Sequence, residues 1–192
     1  NNADPKQADK YLNRSLQDEV FYFVMPDRFN NGDTTNDQGG LGGGKSVNGL
    51  DPTDKAYYHG GDLKGITEKL DYIQDLGTDV IWLSPIVEQV HGFVGGGENG
   101  SFPFYAYHGY WTRDFTKIDA NFGTDADLKQ LVGEAHKRGI KVFLDAVINH
   151  SGYSTLADLQ FDGIPVVDSS MMPKQWSDWS PSEGENWHSF HK

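Results

Sequence analysis

Lys141–His150 reads KVFLDAVINH, a short apolar β run that delivers Asp145, Asn149 and His150 to its C-terminal end. Directly before it, Ala126–Gly139 spaces Leu128, Leu131, Val132 and Ala135 along one helical face and closes on Gly139. That is the pattern of an amphipathic helix with a glycine stop. Helix, short turn, buried strand and polar tip make one unit of a parallel α/β barrel, whose chemistry sits at the C-terminal ends of the strands.

The same unit recurs upstream. Val20–Met25 (VFYFVM) predicts a first strand, with Asn1–Gln17 a polar, short-helical lead-in. Leu63–Leu76 predicts a helix from the spacing of Ile66, Leu70, Ile73 and Leu76, stopped by Gly77, and Asp79–Leu83 (DVIWL) predicts a second buried strand. Strand, helix, strand, helix, strand, with near-continuous apolar strands, indicates a parallel sheet with right-handed crossovers. Two long segments, Gly32–Tyr58 and Val87–Asp119, lack either hydrophobic period and are expected to be loops; loops of that length are functional or disordered. After Ser151 the sequence turns irregular and polar, and a subdomain boundary is expected there, dividing 1–150 from 151–192. Three strands cannot close an eight-stranded barrel, and they leave an unpaired edge. The expectation is therefore either a small open sheet with long loops or the front portion of a larger protein.

Composition narrows the partners. The 192 residues have the length of one domain, able to bury roughly 70% of the unfolded surface. Sixteen Lys and Arg against 28 Asp and Glu give a net charge of −12, which argues against nucleic acid or an anionic membrane and favours a neutral or cationic ligand. There is no Cys, so neither a disulfide framework nor a thiolate metal site exists. No apolar run approaches the roughly 20 residues of a membrane span. Aromatics are 13% of the chain and concentrate outside the strands, in AYHGYW and WSDWSPSEGENWHSF, where they suit sugar faces or pack the loops themselves.

Hard oxygen donors at close spacing are what a six-to-eight-coordinate ion requires. Asn31, Asp33, Asn36 and Asp37 place four within seven residues. A solvated acidic turn has the same composition. Asp62 also suits the N-cap of the helix starting at Leu63. Asp145, in the apolar strand, is expected to have an Arg or backbone partner and to support the site, because an unpaired buried carboxylate is costly. Arg113 and Asp114 are candidates for loop-fixing ion pairs. Glu183 and Glu185, a candidate catalytic carboxylate pair, have no strand beneath them and read as solvated charges.

DAVINH resembles the Asp, apolar, Asn, His block of the α-amylase family of glycoside hydrolases. DRFNNGDTTND after the first strand, YHGGDLKGI at the helix entry and AYHGYWTRDF after the second strand are similar to that family's segments in the same order and spacing. LADLQFDG and WSDWSPSEGENWHSF resemble the inserted domain of secreted and periplasmic maltooligosaccharide-forming amylases, on fewer residues. The resemblance implies the first three strands of a (β/α)8 TIM barrel plus the start of an inserted irregular domain. It implies retaining hydrolysis of α-1,4-glucans such as starch by a secreted or periplasmic enzyme, and a mature chain starting at Asn1 suits a removed signal peptide. By the resemblance, Tyr110 stacks on the glucose at the cleavage point, His108 and His150 hydrogen-bond it and Trp111 forms a wall. Gly60 and Asp62 join Asn31, Asp33, Asn36 and Asp37 around a Ca2+ ion, and Asn149 ligates a second calcium between barrel and inserted domain. The catalytic carboxylate pair belongs to the fourth and fifth strands, so none is expected in this chain, whose partner would be the remainder of the same enzyme. A glucan transferase of the cyclodextrin-forming type, a noncatalytic carbohydrate-binding or scaffold protein and a stand-alone calcium-binding module are the competing expectations.

Overall fold

The computed structural model describes residues 14–96, 102–152, 155, 157, 158 and 162. Its centre is a parallel sheet of β1 (Phe21–Val24), β2 (Val80–Leu83) and β7 (Lys141–Leu144), in the order β1-β2-β7. Phe23 pairs with Trp82 and Trp82 with Phe143 in one row; Val24, Leu83 and Leu144 form the next. The strands are one or two residues shorter than the apolar runs that predict them.

Every second residue faces the helices. Tyr22, Val24, Ile81, Leu83 and Val142 pack with Leu63, Ile66, Leu70 and Ile73 from α3 (Leu63–Glu68) and α4 (Leu70–Asp75), and with Leu131 and Ala135 from α5 (Asp125–Lys137). On the opposite face Phe21, Phe23, Trp82 and Phe143 remain 36–46% exposed. Their rings meet edge-on, Phe23 to Trp82 at 5.5 Å and Phe21 to Phe143 at 5.6 Å. The sheet is apolar on both faces and, among the described residues, covered on one. That is the composition of barrel strands, whose inward side chains fill the interior.

Two findings revise the expected elements. The helix predicted over Leu63–Leu76 is broken at Lys69, because Thr67 Oγ1 hydrogen-bonds the Leu63 carbonyl at 2.8 Å and the Lys69 amide reaches only to Ile66, tightening the turn. The segment Val87–Asp119 is not a plain loop. β3 (Val87–Gln89) pairs antiparallel with β6 (Thr112–Ile118), and β4 (Val94–Gly96) with β5 (Phe102–Phe104). Gly32–Tyr58 is mostly turns, with α2 (Lys45–Asn48) inside it; α1 (Pro26–Phe29) directly follows β1. α5 opens on a capping box between Thr124 and Asp127 and ends on Gly139 at φ +74°, the stop the sequence predicts.

Buried carboxylates fasten the loops. Asp27 accepts from the His59 amide at 2.9 Å, Asp119 from Gln89 and Asn121 at 2.8 and 2.9 Å, and Asp158 from His91 and Thr155 at 2.9 and 2.8 Å. Each supplies the acceptor that irregular backbone cannot find in a ladder. No described helix is long and apolar enough to cross a membrane.

Candidate active-site loop and acidic loop

β2 ends against Ser84 and Pro85, and the segment after β5 returns over that tip. Gly109 makes this close approach possible: its φ is +89° and a Cβ would fall 2.1 Å from the Pro85 carbonyl oxygen. Tyr110 follows and is held at three atoms. Its amide donates to His108 Nδ1 at 2.9 Å, its carbonyl lies 2.9 Å from His150 Nε2, and its hydroxyl donates to Asp145 Oδ2 at 2.9 Å. Asp145 stands one residue beyond β7, with its amide on the Leu83 carbonyl at 3.0 Å. Tyr110 thereby joins the tips of β2 and β7.

Because Nδ1 of His108 accepts the Tyr110 amide, its ring proton sits on Nε2. Burial and then the Arg28 charge hold this imidazole down to about 4, so it is a neutral donor at neutral pH. The Tyr110 ring stacks on it at 5.9 Å and 23°, and Trp111 meets it edge-on at 4.5 Å. Burial and the Asp145 carboxylate push the Tyr110 phenol up to about 12. Beside this cluster opens a cleft of about 560 Å3, walled by Tyr57, Phe102, Phe104 and Tyr107 with Asp54 and Lys55 at its rim. Neutral donors next to aromatic faces suit a sugar, which offers hydroxyls at its edge and C–H groups on its faces.

The acidic loop is organised around Asp62. Its carboxylate caps α3 through the Gly65 amide at 2.6 Å and also accepts from Asp33 N at 2.8 Å and Asn36 Nδ2 at 3.4 Å. Asn31 Nδ2 donates to Asp37 Oδ1 at 2.7 Å. Gly60, at φ +87°, lies so close that a Cβ would meet Asn31 Nδ2 at 2.7 Å and Asp37 Oδ1 at 2.8 Å. Asn36 Oδ1 is buried and finds no hydrogen-bond partner among the described residues. Burial, and after it the nearby Asp62 and Asp33, raise the Asp37 carboxyl. An orphaned amide oxygen beside mutually repelling carboxylates fits a hard cation. Among the described residues no three His, Asp or Glu side chains form a metal cluster, so such a site would draw on amide and backbone oxygens.

The family model "Alpha amylase, catalytic domain" matches residues 23–188. The chain belongs to the alpha-amylase family. The periplasmic alpha-amylase of Escherichia coli K12 is 50% identical over 177 residues, covering 88% of this chain and 25% of that protein. The crystal structure of an Anoxybacillus alpha-amylase superposes with a TM-score of 0.60 at 47% identity, covering 73% of this chain and 26% of that one. A cyclomaltodextrin glucanotransferase of three-domain ABC distribution gives 0.62 at 44% identity, covering 70% and 26%. The chain thus spans about a quarter of the length of these relatives.

Within this amylase fold the expected residues fall into two groups. His108, Tyr110, Trp111, Asp145 and His150 form one cluster; Asn31, Asp33, Asn36, Asp37, Gly60 and Asp62 form another. Trp111 is largely a packing residue, set against Val90, Val94 and Ala106 and held through its amide by Gln89 Oε1 at 2.7 Å. Asp145 accepts from the Tyr110 phenol, its own amide donates to the Leu83 carbonyl, and among the described residues no arginine pairs with its carboxylate. Asp62 is the helix cap in fact. Asn149 is exposed at the β7 tip. Arg113 and Asp114 both make ion pairs, Arg113 with Glu88, Asp158 and Asp162, and Asp114 with Lys117, Asp114 also accepting from the Thr116 hydroxyl. Glu183, Glu185 and nearly all of 151–192 lie outside the described residues. The ion pairs of Arg28 with Asp27 and of Asp158 with His91 and Arg113, and the buried acceptor Asp119, carry no sequence signal beyond the DRF segment after the first strand.

Proposed function

We propose that this chain forms the sugar-facing and calcium-holding part of an enzyme performing retaining hydrolysis of α-1,4-glucans. The observation that carries the reading is the fixing of Tyr110 at three atoms where two parallel strand tips meet, beside the Nε2–H of His108. A pyranose laid on the Tyr110 ring would present a hydroxyl to that donor, and such positioning is what raises rates in a two-carboxylate mechanism. The nucleophile and the acid would come from strands completing the sheet beyond β7. The adjoining cleft would take the next sugars of the glucan, since its walls are aromatic and neutral.

Asn31, Asp33, Asn36, Asp37, Asp62 and the Gly60 carbonyl would hold Ca2+, with Asn149 contributing to a second ion. Calcium there would neutralise the acidic loop and fix the backbone from which Gly60 and α3 start. Placement outside the cytoplasm, secreted or periplasmic, is supported by the similarity to the periplasmic E. coli relative. The similarity to a cyclomaltodextrin glucanotransferase supports a second reading, in which a sugar hydroxyl replaces water as acceptor.

The test is product analysis by 1H NMR with the whole protein on maltohexaose. Newly formed α-anomers of linear products support hydrolysis with retention, and cyclic products support transfer. β-anomers, or no turnover at all, would overturn the proposal in favour of an inverting or noncatalytic protein.

A further inference from the structure

Arg28, in α1 at the end of β1, makes more contacts than a capping residue needs. Nη2 donates to the carbonyls of Lys55 at 3.0 Å and Tyr57 at 2.7 Å, and Nη1 lies 2.9 Å from His59 Nε2. Nε is 2.7 Å from Asp27 Oδ2, and the guanidinium carbon lies 3.7 Å from the centroid of the Tyr107 ring. Lys55, Tyr57 and Tyr107 all line the aromatic cleft, so this one side chain joins lining residues from two segments, 55–57 and 107. Tyr107 in turn stands edge-on to His108 at 5.4 Å and 69°. The cation is therefore one ring away from the imidazole of the sugar-facing loop.

The charge matters as much as the contacts. Were His108 to take a second proton, Nδ1 would become a donor facing the Tyr110 amide, itself a donor, and the hydrogen bond at that point would be lost. Burial disfavours that protonation most strongly, and the fixed cation one ring away acts in the same sense. Among the described residues the ionisable groups around the imidazole are Arg28, with Asp27 and His59 on its guanidinium, then Tyr107 and the Tyr110 phenol, with Asp145 beyond the phenol. Asp27 and Asp145 are the carboxylates of the set, Asp27 held at Arg28 Nε and Asp145 engaged at Oδ2 by Tyr110. A planar, permanently charged group that both stacks and forks is what these partners require, and lysine cannot supply all of them.

We propose that Arg28 is a positioning residue of the glucan-facing site, joining two segments of the cleft lining through Tyr107 and the 55–57 carbonyls and holding His108 in its Nε2–H form. This rests on the reading that the loop binds α-glucan, and the experiment keeps the two apart. The whole protein, labelled with 13Cε1-histidine, is titrated over pH 3 to 8 as the unaltered protein and as Arg28→Met, Arg28→Lys and Tyr107→Leu. Each is then titrated with maltotetraose at pH 7.

Arg28→Met is expected to raise the His108 midpoint by about half a unit or more. Arg28→Lys keeps the charge and should leave the midpoint nearly unchanged while weakening maltotetraose binding several-fold. Tyr107→Leu should weaken binding as Arg28→Lys does. Circular dichroism and thermal melts identify folded variants; if Arg28→Met fails to fold, raising salt to 1 M with the unaltered chain and with Arg28→Lys replaces it, and a bound-cation effect on His108 should survive salt in both. A His108 midpoint identical in folded Arg28→Met and the unaltered protein, or one that collapses to the exposed histidines' value in salt, overturns the proposal. Absence of any maltotetraose-induced shift at His108 in the unaltered protein instead overturns the glucan reading.

Discussion

The Tyr110 hydroxyl donates to Asp145 Oδ2 across 2.9 Å, although the two residues are 35 apart in sequence, one in the segment between β5 and β6 and the other directly after β7. The bond sets the tilt of the ring, and the His150 contact at the Tyr110 carbonyl sets its depth. Asp145 thus fixes the position of Tyr110.

The ring and its hydroxyl therefore separate experimentally. Tyr110→Ala in the whole enzyme should reduce kcat on maltooligosaccharides by roughly a hundredfold, the scale of a lost positioning contact. Tyr110→Phe, which keeps the face and loses the tether, should cost much less, and Asp145→Asn should match it. Steady-state kinetics with maltohexaose checks the order; equal effects of Ala and Phe would place the hydroxyl, not the ring, in contact with sugar.

Calcium should raise the melting temperature, since a ligand of the folded state alone stabilises by mass action. A hundredfold excess over Kd gives roughly 5–10 °C for a chain of this size. Asn36→Ala with Asp37→Ala should abolish the difference between calcium and chelator at matched ionic strength. Asp62→Ala is a poor probe, because it also removes the cap of α3.

Thr124→Ala removes the hydroxyl half of the capping box of α5, in which Thr124 Oγ1 accepts from the Asp127 amide at 3.4 Å and donates to Asp127 Oδ2 at 2.6 Å, and leaves the backbone amide bond to Asp127 in place. The expected loss is about 1 kcal/mol by denaturant titration, with an unchanged m value.

Burial raises the Asp119 carboxyl from 3.8 to about 6, against the pull of the Gln89 and Asn121 amides. Between those values the folded state keeps a proton that the unfolded state has lost. The associated stability is full below about pH 4 and disappears as pH rises through 6. His108 has the opposite sign: its lowered value makes stability grow from pH 4 to 6.5. Melting temperatures of the unaltered chain minus those of Asp119→Asn should therefore fall from pH 4 to 6, and a flat difference would show that Asp119 ionises normally.

The parallel core was legible because its strands are buried runs and its helices carry a 3.6 period, which survives without knowledge of partners. Between Val87 and Asp119 the strands are mostly three residues long and pair through two register shifts around Glu88, leaving no period to detect. Tyr110, His108 and His150 were legible by type and position. Their mutual bonds were not, since the Tyr110–Asp145 and His150–Tyr110 contacts depend on how two strand tips are spaced. Arg28 was illegible as a hub for the same reason: its partners at Lys55, Tyr57, His59 and Tyr107 come from segments without regular structure.

The central claim is that the cluster at the β2 and β7 tips receives an α-glucan. A crystal structure of the whole protein with a bound maltooligosaccharide tests it most directly. The account predicts one pyranose face against the Tyr110 ring and a hydroxyl within about 3.2 Å of His108 Nε2. An oligosaccharide bound elsewhere, with Tyr110 and His108 out of reach of it, would contradict the account.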